Sequence, residues 1–173
     1  MPIFCVPRWL LLCALASVLV SQARAQSSAP LDLTLHVPAT QVQRAGALSL
    51  AVVFRNGDAQ QMLVLRGQPA FGDGGGMQLS VTDAGGLRRV VTVASASAAL
   101  GDAAAAERVQ ILPPGHGLSV HRRMQAAALF PAPGRYRLEV SYTPPEHPQT
   151  ALVAGSVDAT AAVSGQVEVE VTQ

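Results

Sequence analysis

The chain has 173 residues, a formal net charge of +1 at pH 7 and 49% hydrophobic residues. A net charge this close to zero argues against nucleic acid or an anionic membrane as the main partner. The chain contains no lysine, and both of its cysteines, Cys5 and Cys13, lie near the N-terminus. A mature chain without that segment would have no disulfide, so its stability would have to come from its core.

The N-terminal segment has the pattern of a secretory signal. Arg8 precedes an apolar run over 9–20, and the small-residue sequence Ala23-Arg24-Ala25 follows. This order is typical of a cleavable signal peptide, and the run is shorter than the ~20 residues that a membrane span needs. We therefore predict a signal peptide over 1–25, cleaved after Ala25, and one periplasmic or secreted domain over 26–173 with no stable membrane span.

The first half of that domain alternates apolar and polar residues between Gly, Pro and Asn, which predicts an all-β sandwich. Strands are expected over 31–37 and 48–54, each with every second residue facing the core. Asn56 and Gly57 favour a tight hairpin turn into a strand over 62–65. A strand over 77–81 is expected to turn through Asp83 to Gly86 and return over 87–93.

The second half contains the remaining strands and two interruptions. Further strands are expected near 109–111, 118–120, 136–142 and 167–171, giving eight or nine in all. Ala-rich and Pro-rich compositions predict long loops at about 94–108 and 143–165. Such long loops in a compact domain are usually functional or disordered.

The clearest strand begins at Gly134. Tyr136, Leu138, Val140 and Tyr142 alternate with polar residues and should face inward. The segment resembles the penultimate strand of an immunoglobulin-like sandwich. In that resemblance Tyr136 takes a tyrosine-corner-like position, with its hydroxyl bonded to backbone near the preceding turn.

Four short motifs extend this resemblance across residues 48–142. Their order is similar to that in small immunoglobulin-like domains of bacterial exported proteins, including BsuPI-type proteinase inhibitors and deuterolysin-type prodomains. The motifs are Phe54-Arg55-Asn56, Val81-Thr82-Asp83-Ala84-Gly85-Gly86, Leu112-Pro113-Pro114-Gly115 and Pro133-Gly134-Arg135-Tyr136. The resemblance implies an immunoglobulin-like antiparallel sandwich and, in its inhibitor form, a peptidase as partner.

No motif in the sequence specifies a reaction. The mature chain has no cysteine nucleophile and no Gly-x-Ser-x-Gly elbow, so we expect no catalytic residues and no cofactor. His116 and His121 would form a same-face pair on a helix, but Leu118 and Val120 predict a strand that separates them. A copper site of His121 with Met124 and Met77 lacks the dense Met/His pattern of such proteins, so no metal is expected.

The leading functional hypothesis is a non-enzymatic module that binds another envelope or secreted protein through an exposed sheet face or through its long loops at 94–108 and 143–165. His121, Arg122 and Arg123 are the candidate contacts, because adjacent arginines on a strand place one guanidinium on each face. Tyr136, Gly134, Tyr142, Asn56 and Gly57 are assigned structural roles. A proteinase-inhibitor-like domain is the first alternative, and a small metal-binding protein or hydrolase using His116 and His121 is the second.

Overall fold

The computed structural model describes residues 30–67, 69–72, 76–93, 109–144 and 156–173. The predicted signal peptide at 1–25 and the predicted loop at 94–108 lie outside the described residues. Residues 145–155 of the second predicted loop lie outside them as well. No helix in the described ranges is both long enough and apolar enough to cross a bilayer.

The described ranges contain twelve strands and one helical turn. Their bounds are β1 Leu31–His36, β2 Gln41–Gln43, β3 Ala47–Asn56, β4 Met62–Arg66, β5 Ala70–Phe71, β6 Gly76–Asp83, β7 Arg88–Val91, β8 Val109–Leu112, β9 Gly117–Gln125, α1 Ala126–Leu129, β10 Gly134–Tyr142, β11 Ser156–Asp158 and β12 Val163–Thr172.

These strands form three sheets. The small sheet has the order β1-β3-β9 and is antiparallel throughout. The large sheet has the order β2-β12-β10-β6-β5, with β7 paired to β6, and the side sheet has the order β11-β4-β8. The predicted all-β sandwich is confirmed. The prediction of eight or nine strands was too low, because β2, β5 and β11 are only two or three residues long and show too little alternation to recognise.

One hydrophobic core joins the inward faces of the three sheets. Burial alternates strictly along β1, and it alternates along β3 and β10 as the sequence predicts. β12 passes very close to β1 at Gly165, where an added Cβ would lie 2.7 Å from the Leu33 side chain and 3.0 Å from backbone atoms. The two sheets therefore approach each other closely at Gly165, where a side chain is absent.

The predicted hairpin at Asn56-Gly57 is wrong. β3 pairs with β1 and β9, whereas β4 pairs with β8 and β11, and neither Asn56 nor Gly57 has a positive φ. Asn56 is fully buried, and its Nδ2 donates to the carbonyl oxygens of Gln61 and Leu112 at 2.8 Å each. Its Oδ1 accepts from the Asp58 amide at 2.9 Å. Asn56 thus joins the end of β3 to the side sheet instead of reversing the chain.

Of three other local predictions, two are confirmed and one is wrong. The β6–β7 hairpin is confirmed, with the Gly86 amide donating to the Asp83 carbonyl at 3.0 Å. The tyrosine corner is also confirmed, because the Tyr136 hydroxyl donates to the Ala132 carbonyl at 2.9 Å. The uninterrupted loop over 143–165 is wrong, since β11 pairs in parallel with β4 and β12 already begins at Val163.

Candidate functional site

The outward face of the small sheet brings together charged and imidazole side chains from three strands. We call this surface the His–Arg face and define it by Asp32 and His36 on β1, Arg55 on β3, and His121 and Arg123 on β9. All five side chains are exposed. The register places His36, Ala51 and His121 in one row across the sheet, and Asp32 and Arg55 in another.

Among the described residues, these five side chains have no partners of their own. Within the described residues, none of them takes part in a side-chain hydrogen bond or ion pair, although Asp32 and Arg55 are register partners. The face carries two guanidinium groups against one carboxylate. Its charge is therefore unbalanced, and its polar groups are free to contact another molecule.

The outward face of the large sheet has the opposite character. Arg88, Arg135 and Arg137 stand there against Glu139, Glu168 and Glu170, so its formal charges cancel. We call this surface the paired face, because Arg88 contacts Glu139 at 3.0 Å and Arg137 contacts Glu168 at 3.5 Å.

A small network fixes one of those pairs in place. Arg88 Nε donates to the buried Ser80 hydroxyl at 3.1 Å, and that hydroxyl lies 3.5 Å from a Glu139 oxygen. These contacts tie the edge strand β7 to β6 and β10. The charges of the paired face thus contribute to the packing of its own strands, and fewer of them are available to a partner.

The predicted binding residues do not share one surface. His121 and Arg123 point outward on β9, whereas Arg122 lies on the inward side opposite Leu50, is half-buried and already has an intramolecular interaction. This is the one-per-face arrangement that strand geometry predicts. Arg88 and Arg89 show the same arrangement on β7. Arg88 belongs to the paired face, whereas Arg89 donates to the carbonyl oxygen of Leu129.

The residues of the predicted metal or hydrolase site are not brought together. His116 lies in the turn before β9 and is exposed, while Met124 lies on the inward side of β9 and Met77 is buried in the large sheet. Among the described residues, no group of three or more His, Cys, Asp or Glu side chains is placed to hold a metal ion.

A cleft of about 490 Å³ adjoins one end of the His–Arg face. Its lining includes Asp32, Arg55 and Asp58 together with the Pro114-Gly115 turn. The backbone amides of Gln60 and Gln61 hydrogen-bond to Asp58 and hold the pKa of its carboxyl below the usual range. Asp58 therefore serves the local turn, and Arg55 makes no ion pair within the part of the chain that the structure describes.

Comparisons with known proteins do not identify a family. No protein-family model matches the chain, and no curated protein matches it. Among solved structures, the chain is similar to the CARDB domain of the PF1109 protein from Pyrococcus furiosus, in complex with di-metal ions, with 12% identity over 83% of this chain and 93% of that chain at a TM-score of 0.37.

Two further matches are to larger proteins, of which this chain covers only a part. Spo0M, a sporulation control protein from Bacillus subtilis, is 10% identical over 83% of this chain and 50% of its own, with a TM-score of 0.48. A β-glucosidase from Listeria innocua is 14% identical over 84% of this chain and 16% of its own, with a TM-score of 0.41. At these scores the similarity carries no functional argument, and the inhibitor and prodomain resemblance stays a prediction from sequence.

Sequence reasoning missed the contribution of β1 and β3 to this surface. It predicted a strand over 31–37 with every second residue facing the core but gave Asp32 and His36 no role, and it treated Arg55 only as part of a motif. The missing information was the strand order, because β1 and β9 are 80 residues apart in the chain and meet only through β3.

Proposed function

We propose that this protein is an exported, non-enzymatic module that binds another envelope or secreted protein through its His–Arg face. The observation that carries the proposal is the contrast between the two outward faces. One has exposed charges without partners among the described residues, and the other has charges that balance and include two ion pairs.

The excess of arginine on this face favours an acidic patch on the partner. Arg55 and Arg123 lie on different strands and near opposite ends of the sheet, so they can contact two separate carboxylates. Arginine binds carboxylates with two parallel hydrogen bonds, which gives orientation as well as attraction. Complementary charge of this kind raises the rate of association and selects among partners more than it raises affinity.

Site-specific photo-crosslinking tests which face is used. A photoreactive phenylalanine analogue replaces Ser119, an exposed β9 residue between Arg55 and Arg123 on the His–Arg face, and in a matched variant it replaces Gln166, an exposed β12 residue on the paired face. The full chain is expressed and irradiated in the cells that produce it. We expect one dominant crosslinked protein from position 119 and none from position 166. Equal crosslinking from both positions, or none from position 119, would contradict the proposal.

A further inference from the structure

Two exposed histidines, His36 and His121, lie on either side of Ala51 in one row across the small sheet. His36 is the register partner of Ala51 on one side, and His121 is its register partner on the other. Neighbouring strands lie about 4.8 Å apart, so the two histidine Cα atoms are separated by roughly 10 Å. Ala51 has only a methyl group, so the space above it, between the two imidazoles, is not filled by the central strand.

Both imidazoles are free to enter that space. Both side chains are exposed, and within the described residues neither histidine has a side-chain hydrogen bond or ion pair. Strand geometry places the small residues Thr34 and Ser119 at the adjacent outward positions on one side of the row, and Arg123 follows His121 on the other side. The rings can therefore turn toward each other over the alanine without losing a hydrogen bond or ion pair within the described residues.

We infer that His36 and His121 form a two-imidazole site for a divalent transition-metal ion, bridging β1 and β9 above Ala51. Imidazole nitrogen suits Cu²⁺, Ni²⁺ and Zn²⁺, and Cu²⁺ binds most tightly in the usual order of these ions. Metal–nitrogen bonds of about 2.0–2.1 Å place the ion between the two rings. Two protein ligands leave further coordination positions for water or for a donor from a bound molecule.

The charges around the row predict a modest affinity. Arg123 follows His121 by two residues on the same face, and its positive charge opposes a cation. Since a guanidinium stays protonated, Arg123 cannot itself be a ligand. The site thus depends on the two histidines alone, and this makes it simple to test.

Titration of the purified full chain with Cu²⁺, followed by calorimetry and by electron paramagnetic resonance, tests the site. We expect His36→Gln and His121→Gln each to weaken binding at least tenfold and to remove one nitrogen from the copper spectrum. His116→Gln is the matched control, because His116 is also exposed but lies outside the row, and it should leave both readouts unchanged. Unchanged affinity in His36→Gln, or a loss in His116→Gln, would overturn the inference.

Ala51→Leu supplies a second test that keeps both histidines. A leucine at this outward position of β3 would occupy the space between the two rings, while β-strand pairing needs only its backbone. We expect at least a tenfold loss of Cu²⁺ affinity with an unchanged circular dichroism spectrum. Arg123→Gln should retain or increase the affinity. Full affinity in Ala51→Leu, or a loss in Arg123→Gln, would show that the ion is not held above Ala51.

Discussion

Two tyrosines on the same side of β10 should respond in opposite ways to the same substitution. The Tyr136 hydroxyl donates to the Ala132 carbonyl at 2.9 Å, and its ring packs against Phe130 with centroids 4.9 Å apart. Tyr142 is fully buried and packs edge-on against Phe54 at 5.0 Å, but its hydroxyl has no hydrogen-bond partner among the described residues. Replacement by phenylalanine keeps each ring and removes only the hydroxyl.

The expected magnitudes follow from the two environments. Tyr136→Phe removes one hydrogen bond and should lower the free energy of unfolding by about 1 kcal/mol. Tyr142→Phe removes a polar group whose burial without a partner costs about 1–3 kcal/mol, so it should raise the free energy of unfolding by about 1 kcal/mol. For a domain of this size, 1 kcal/mol corresponds to roughly 2–4 °C in Tm.

Urea denaturation of the two variants and the parent chain, followed by circular dichroism at neutral pH, measures the difference. An unchanged slope of the free energy of unfolding against urea concentration would show that the substitutions leave the surface exposed on unfolding unchanged. The reasoning predicts midpoints on opposite sides of the parent. A Tyr142→Phe variant that is destabilised as much as Tyr136→Phe would refute it, because the Tyr142 hydroxyl would then have a stabilising partner.

Three further predictions concern stability. Burial raises the pKa of Tyr142 to about 12, so between about pH 10 and pH 12 the unfolded chain loses this proton while the folded chain keeps it. The free energy of unfolding should therefore fall as pH rises from about 10 to about 12. Denaturation at about pH 8 and about pH 11 should show a smaller fall in Tyr142→Phe than in the parent chain. Asn56→Ala leaves two carbonyls and one amide without their partner and should lower the free energy of unfolding by about 2–4 kcal/mol in chemical denaturation. The control Gln61→Ala, at an exposed side chain, should change it very little. Equal effects of the two substitutions would contradict the role of Asn56 in connecting β3 to the side sheet. Gly165→Ala forces β12 away from β1 and should lower the free energy of unfolding by about 2 kcal/mol or more. The control Ser164→Ala, at the neighbouring exposed residue, should leave it unchanged. An unchanged free energy of unfolding in Gly165→Ala would show that the two strands are not so close.

Alternating burial made the strands predictable wherever one side faces the core. β1, β3 and β10 each have a long inward series, so their positions and their inward residues followed from the sequence. The hydrogen bond of Tyr136 was expected from the resemblance of this strand to the penultimate strand of an immunoglobulin-like sandwich, and its hydroxyl does donate to a backbone carbonyl before β10. Strands of two or three residues, such as β5, lack enough residues to show a period.

Strand order was the part that local patterns could not supply. Asn56-Gly57 has the composition of a hairpin turn, but the Asn56 side chain satisfies backbone groups from two other segments, and burial there outweighs the local turn preference. The same limitation applies to the candidate site. His121 and Arg123 were identified from their own strand, but their neighbours His36 and Arg55 depend on which strands pair with β3.

The measurement that tests the central claim most directly is the affinity of the protein crosslinked through position 119 for charge-reversed variants of this chain. Arg123→Glu changes the His–Arg face, and Arg135→Glu makes the same change at an exposed arginine of the paired face that has no ion pair within the described residues. We expect Arg123→Glu to weaken binding about tenfold, and more strongly at low salt, with little effect from Arg135→Glu. Equal losses in both variants, or a loss only in Arg135→Glu, would contradict the assignment of binding to the His–Arg face.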